Sequence, residues 1–189
     1  MQALRVGHPG AVAVFYDRHA AHVHRTLYVA LGPDADLPDL LQEVFIRALD
    51  HITSLRDGTR VESWLTTIAV FVARAQIRSP ARQSRWRLSS PEHTSPRSLE
   101  QPSLEARQAL REIYDVLDHM PANERLAFVL RFVDGITLPD AAEACQTSLA
   151  TLKRRLARAE RRFLDAASVR PLLDRWLEKG ERWHALRQR

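Results

Sequence analysis

Cysteine occurs once in this chain of 189 residues, at Cys145. An intrachain disulfide is therefore impossible, and a cysteine-built zinc site is excluded. Glycine is also scarce. Six glycines leave little room for a phosphate-cradling loop, and neither a G-x-S-x-G elbow nor a paired-carboxylate arrangement occurs. No apolar run approaches the ~20 residues that span a bilayer. The opening segment MQALRVGHPG lacks the apolar stretch of a signal peptide, so a cytoplasmic location is expected. Strand-like alternation and internal repeats are absent as well. An enzyme reading has no feature behind it. No catalytic residue, cofactor, metal, membrane or small-molecule substrate is expected.

What remains is a series of amphipathic helices, and the expected fold class is all-α. The first helix carries Val12, Phe15, Tyr16, Ala20, Val23, Leu27 and Leu31 at helical spacing and stops at Gly32-Pro33. The second has Asp36 as its expected N-cap, Pro38 in its first turn, and the stripe Leu37, Leu41, Val44, Phe45 and Ala48. The third runs from about Glu62 to Arg78, with Trp64, Leu65, Ile68, Phe71, Val72 and Ala75 as its stripe. The segment from Ser79 to Gln101, rich in serine, proline, arginine and glutamine, reads as a flexible linker. A second helical unit begins near Ser103, a plausible N-cap. Its first helix carries Leu110, Ile113, Tyr114, Leu117 and Met120, and its second carries Leu126, Val129, Leu130 and Val133 before Asp134-Gly135. The division is thus two small helical domains, 1–78 and 103–164, joined by a linker at 79–102 and followed by a helical tail at 165–189.

Charge is distributed unevenly. The net charge is +5, but Asp34 to Asp50 is acidic while Lys153 to Arg162 is strongly basic. Such polarity suits one acid-seeking partner and one polyanion.

The basic run lies in the segment GITLPDAAEACQTSLATLKRRLARAERRF. Thr137 can cap one short helix and Ser148 the next, with Gln146-Thr147 as the turn. Leu138, Ala141, Ala142 and Cys145 give the first an inward side. In the second helix, Leu152, Leu156, Ala159 and Phe163 share one side at 100° per residue. Ala150, Arg154, Arg158 and Arg161 fall opposite, flanked by Thr151, Lys153 and Arg155. A helix with a docking side and a cationic side is what the DNA major groove admits. Helix-turn-helix turns usually place glycine where φ is positive. Here Gln146 stands there, at a cost of ~1 kcal/mol.

Two motifs together resemble the extracytoplasmic-function sigma factors of bacterial RNA polymerase. DLPDLLQEVFIRALDHI with VESWLTTIAVFVARAQIR resembles the family's region two. MPANERLAFVLRFVDGITLPDAAEACQTSLATLKRRLARA resembles its region four without a gap. The resemblance implies a promoter-recognition subunit that binds core RNA polymerase and directs initiation. It implies core binding through Asp39, Leu40, Gln42, Glu43 and Phe45. Upstream-element binding would fall to Ala150, Thr151, Lys153, Arg154, Arg155 and Arg158. Downstream-element reading would fall to the loop from His51 to Arg60 and the third helix, through Arg60, Trp64, Arg74 and Arg78. Trp64 on its own spacing reads as core. The implied partners are core polymerase, promoter DNA and, in one reading, an anti-sigma factor.

The chain departs from the family on the third helix, where Val70, Phe71 and Ala75 stand at positions that are usually polar or charged. That departure motivates a third reading, a sigma-like decoy that binds an anti-sigma factor. The second reading, ahead of it, is a stand-alone helix-turn-helix regulator with a dimerising or sensing first domain. His19, His22 and His24 read as surface histidines, Cys145 as a buried structural thiol, and Trp86 as either a stacking or a docking residue.

Overall fold

The computed structural model describes residues 2–32, 36–79 and 104–179, with side chains through Arg175. The expected linker (apart from Ser79), the Ser103 cap, Trp86, Trp183 and the side chain of Trp176 lie outside the described residues. The described residues are helical throughout, without a strand. The first half holds α1 (Gln2–Arg5), α2 (Pro9–Leu31), α3 (Leu37–Asp50), two single 3-10 turns (Ile52–Ser54 and Gly58–Arg60) and α4 (Val61–Arg78). The second holds α5 (Leu104–Asp118), α6 (Ala122–Phe128) continued by a π turn (Val129–Val133), α7 (Leu138–Ala144), α8 (Leu149–Ala167) and α9 (Pro171–Lys179).

Helices α2, α3 and α4 pack mutually around Val23, Leu27, Val44, Ala48, Leu65 and Ala69, all fully buried. In the second half, α6 packs on α8, with the Phe128 and Phe163 rings 4.7 Å apart. Leu126, Leu130, Leu152 and Ala159 complete that core. Burial of the valine, leucine and phenylalanine side chains among them supplies about 1.5–3 kcal/mol each, which outweighs the weak intrinsic preference of short helices.

The two halves are docked. Helix α4 lies against α6 and α7, and α2 lies against the π turn. The apolar core runs across the joint, and its polar contacts are arginines of one half reaching helix ends in the other. A helix C-terminus leaves its last carbonyls without intrahelical donors and carries partial negative charge, so cations are favoured there. Arg125, 1% exposed, donates from Nε to the Ala30 carbonyl at 2.8 Å and from Nη2 to the Leu31 carbonyl at 3.1 Å, at the end of α2. Its Nη1 meets the Asp118 carboxylate. In the opposite direction, Arg74 donates to the Cys145 carbonyl at the end of α7, 3.0 Å, and Arg25 binds Asp134 after the π turn. Tyr114 adds a hydroxyl bond to the Tyr28 carbonyl at 3.1 Å. Its ring covers Gly32, where φ is 83° and an added Cβ would come within 2.9 Å of the ring. Glycine is needed there both for its backbone and for its lack of a side chain.

Several expectations are revised. Asp36 holds the N-cap position of α3 but makes no side-chain cap bond. Phe71 and Ala75 point outward, because α4 turns Ala69, Val70 and Ala73 inward between both halves. Leu110 on α5 is exposed too. The helix before Asp134 does close on Gly135, at φ 78° as a glycine cap requires, but its last turn is a π turn, with the Ile136 amide reaching back to the Leu130 carbonyl at 3.1 Å.

Gln146 has φ of 51°, the sole positive-φ residue other than glycine among the described residues. The Thr147 amide bonds the Ala142 carbonyl and the Gln146 amide bonds the Glu143 carbonyl, a Schellman closure of α7. Gln146→Gly should therefore stabilise the fold by up to about 1 kcal/mol, strain relief being partly offset by the freer unfolded chain. Thermal denaturation followed by circular dichroism would show a raised midpoint; a lowered one would mean that the turn is not strained.

Candidate nucleic-acid interface

The turn between α7 and α8 is fixed at both ends by side-chain caps. The Thr137 hydroxyl accepts from the Asp140 amide at 3.3 Å and donates to its carboxylate at 2.6 Å. Ser148 Oγ accepts from the Thr151 amide at 3.2 Å. These caps and the Schellman turn set the two helices as a helix-turn-helix. Leu152, Leu156, Ala159 and Phe163 seat α8 and are buried, as their spacing requires. Ala150, Lys153, Arg154, Arg158 and Arg161 are exposed on its outer side. Thr151 is half-buried, its Oγ1 accepting from Ser148 at 3.0 Å and from Arg154 at 3.1 Å. Arg155 is half-buried beside α7. Arg158 stays outward but is tied to Glu124 at 3.0 Å. Of the upstream candidates, Ala150, Lys153, Arg154 and Arg158 stand on the outer side of α8, while Thr151 and Arg155 flank it, half-buried.

Glu124 and the companion Arg162, 3.0 Å from it, were not singled out by sequence reasoning. Glu124 lies 34 and 38 residues before its partners, and no local pattern links them.

The downstream candidates are arranged differently. Arg60 ends a 3-10 turn that is capped by Asp57. There the Thr59 hydroxyl and amide bond the Asp57 carboxylate at 2.7 and 2.9 Å and hold its pKa below the ordinary value. The Arg60 guanidinium grips both oxygens of Glu143 on α7, at 2.6 and 2.5 Å. Arg74 is spent on the Cys145 carbonyl, and its buried Nε has no acceptor. Trp64 is half-buried against the core, and Arg78 is exposed. Two of these four residues thus face the second half of the chain.

On α3, Asp39 and Gln42 are exposed, while Glu43 is half-buried and bonds Arg47 through two nitrogens at 2.7 and 2.9 Å. Leu40 and Phe45 are corrected. At 7% and 5% exposure they seat α3 against α2 and α4 and offer no surface to a partner. The Phe45 ring meets Phe15 edge-on and lies 4.7 Å from Tyr16. The apolar residue that α3 does present is Ile46, 53% exposed, four positions beyond Gln42 and three beyond Glu43. That spacing puts it on their side, a signal the core reading of the stripe passed over. Phe71 on α4 lies under the Arg47 guanidinium, 5.2 Å from ring centroid to carbon.

The three histidines are occupied in packing: His22 shares a 2.9 Å bond with Thr66 of α4, His19 tilts on Phe15, and His24 stacks on Tyr28. Among the described residues, no three potential ligands gather at a metal site, and no helix is long and apolar enough to cross a membrane.

Two helical units, one carrying a capped helix-turn-helix with a basic outer face, have the form of a DNA-binding protein. Residues 15–83 match the family described as Sigma-70 region 2, and residues 110–163 match Sigma-70, region 4. The chain is 32% identical over 137 residues to the ECF RNA polymerase sigma factor EcfG of Rhodopseudomonas palustris, covering 71% of this chain and 74% of that one. It is 30% identical over 152 residues to the ECF RNA polymerase sigma-E factor of Escherichia coli, covering 76% and 78%. Its fold is similar to CnrH in complex with the cytosolic domain of CnrY (TM-score 0.57, 20% identity, 87% and 94% covered). It is also similar to the sigma factor RpoE in complex with the anti-sigma factor NepR from Bartonella quintana (TM-score 0.58, 21% identity, 82% and 98% covered). The chain belongs to the extracytoplasmic-function sigma factors, promoter-recognition subunits of bacterial RNA polymerase rather than enzymes.

Cys145 is 3% exposed, and burial pushes its thiol pKa up, against smaller lowering effects of Arg74 and Arg155. The neutral thiol is the favoured form at neutral pH. Iodoacetamide should label it slowly in the native protein and promptly after unfolding, as read by mass spectrometry. Equal labelling in both states would mean that the end of α7 is open to solvent.

Proposed function

We propose that α8 reads the upstream promoter element through Ala150, Thr151, Lys153, Arg154, Arg155 and Arg158. The exposed side of α3 (Asp39, Gln42 and Glu43, with Ile46 in place of the buried Leu40 and Phe45) docks core polymerase. The turn before α4, with Arg60, Trp64, Arg74 and Arg78, serves the downstream element. The two functional domains divide at 79–102, and the protein works in the cytoplasm. The carrying observation is the sorting of α8. Its four apolar positions are buried, and its cations stand outside on a scaffold capped at both turns. Negative charge on α3 suits a basic docking partner and speeds association. Two similarly folded proteins were solved with CnrY and with the anti-sigma factor NepR, and an anti-sigma partner is proposed for this chain on that likeness. The presence of both regions favours a sigma factor over a stand-alone regulator.

Downstream reading requires Arg60 and Arg74 to leave Glu143 and the Cys145 carbonyl. Phosphate oxygens can replace those acceptors, and the unsatisfied Nε of Arg74 would gain one. The docked arrangement is then a resting form, and promoter engagement separates α4 from α7.

Arg154→Ala should weaken binding to the upstream element by about 1–3 kcal/mol if it reads a base edge. Competition binding with polymerase-bound protein checks this, and unchanged affinity would remove α8 as the reader. Glu43→Lys should weaken association with core polymerase roughly tenfold while leaving the thermal midpoint near that of the parent. Pull-down and denaturation together decide it, since loss of both would signify misfolding instead of a lost contact.

A further inference from the structure

We infer that Glu124 is a positioning residue for DNA reading, one that aims the guanidinium of Arg158 from beneath the recognition helix. The inference rests on the proposed reading role of α8.

Glu124 lies in the first turn of α6 and is 7% exposed. Its carboxylate divides between two arginines one turn apart on α8. Oε1 faces Nε of Arg158 at 3.0 Å, and Oε2 faces Nε of Arg162 at 3.0 Å. Both arginine side chains remain more than half exposed. Ion pairs with that much solvent around one partner contribute little to stability. A desolvated carboxylate held at such a joint is poorly explained by stability alone.

The atoms used are informative. Arg162 donates a hydrogen bond from Nε, the inner nitrogen of the guanidinium, and Arg158 forms an ion pair in which Nε is the nitrogen nearest the carboxylate, at 3.0 Å. Among the described residues neither terminal nitrogen of Arg158 meets an acceptor, so both face outward for one. Recognition of guanine in the major groove uses a guanidinium edge as a planar fork, and a fork that is already oriented loses less freedom on binding. Arg154 has a weaker anchor in the Thr151 hydroxyl. Arg158 has a buried charge behind it. Glu124 also subtracts one unit of positive charge from the helix face, which restrains indiscriminate attraction to phosphates. Orientation and charge act in the same direction, toward a larger ratio of specific to non-specific binding.

The test uses the full chain bound to core polymerase. The probes are a promoter duplex enriched by that complex from a random-sequence pool and the same duplex with its upstream half scrambled. Glu124→Gln keeps the shape and removes the charge. The affinity ratio of the two probes should fall about tenfold, an amount comparable to one impaired base contact. Affinity for the scrambled probe should rise, with a steeper salt dependence. In an Arg158→Ala background the same substitution should leave the ratio unchanged, because the two act as one unit. An unchanged ratio in the parent background, or an equal fall with and without Arg158, would overturn the inference. Arg162→Ala retains the Glu124–Arg158 pair and should keep the ratio; a tenfold fall there would also overturn it. If Arg154→Ala impairs upstream binding while Glu124→Gln does not alter the ratio, the positioning role fails and the reading role of α8 stands.

Discussion

Arg125 is the residue on which the arrangement turns. An arginine cannot be buried unless its five donors find acceptors. Here the acceptors come from the carbonyls that end α2 and from Asp118, so satisfying one side chain requires both halves of the chain. Arg74 and Arg25 make the same kind of contact in the opposite direction. The interface combines charge placed at helix ends with apolar contact, where Tyr114 meets Gly32 and α4 buries Val70 and Ala73. The charged contacts have a useful property. They are specific in geometry, yet a polyanion can supply replacement acceptors for the more exposed arginines, which apolar packing could not accept.

Much of the architecture could be read from residue order. Stripes such as Val23–Leu27–Leu31 and Leu152–Leu156–Ala159–Phe163 fall where burial places them, because apolar spacing on a helix determines which side must leave water. The caps at Thr137 and Ser148, and the positive φ at Gln146, are local properties of short segments and were legible for that reason. Two kinds of feature were not. Leu40 and Phe45 belong to a stripe, and the stripe alone does not say whether its edge meets a core or a partner; Ile46 takes the outward place. Phe71 reads as inward on α4 until the second half arrives and claims Val70 and Ala73 instead.

The candidate site divides along the same line. The cationic face of α8 follows from one helix and its periodicity. Glu124 beneath that face, and Glu143 opposite Arg60, depend on contacts across 34 to 83 residues. No periodic signal carries those. They are also the contacts that give the proposed function its mechanism. One holds an arginine ready for DNA, and the other occupies an arginine until DNA is present.

The central claim, that α4 and α7 part when the promoter is engaged, is open to direct measurement. Spin labels at cysteines introduced for the exposed residues Ala75 of α4 and Ala157 of α8, which is packed on α7, with Cys145 replaced by alanine, would report the separation by pulsed electron resonance. The account predicts one short distance in the free protein and a longer one in the complex with core polymerase and promoter. The same short distance in both states would contradict it.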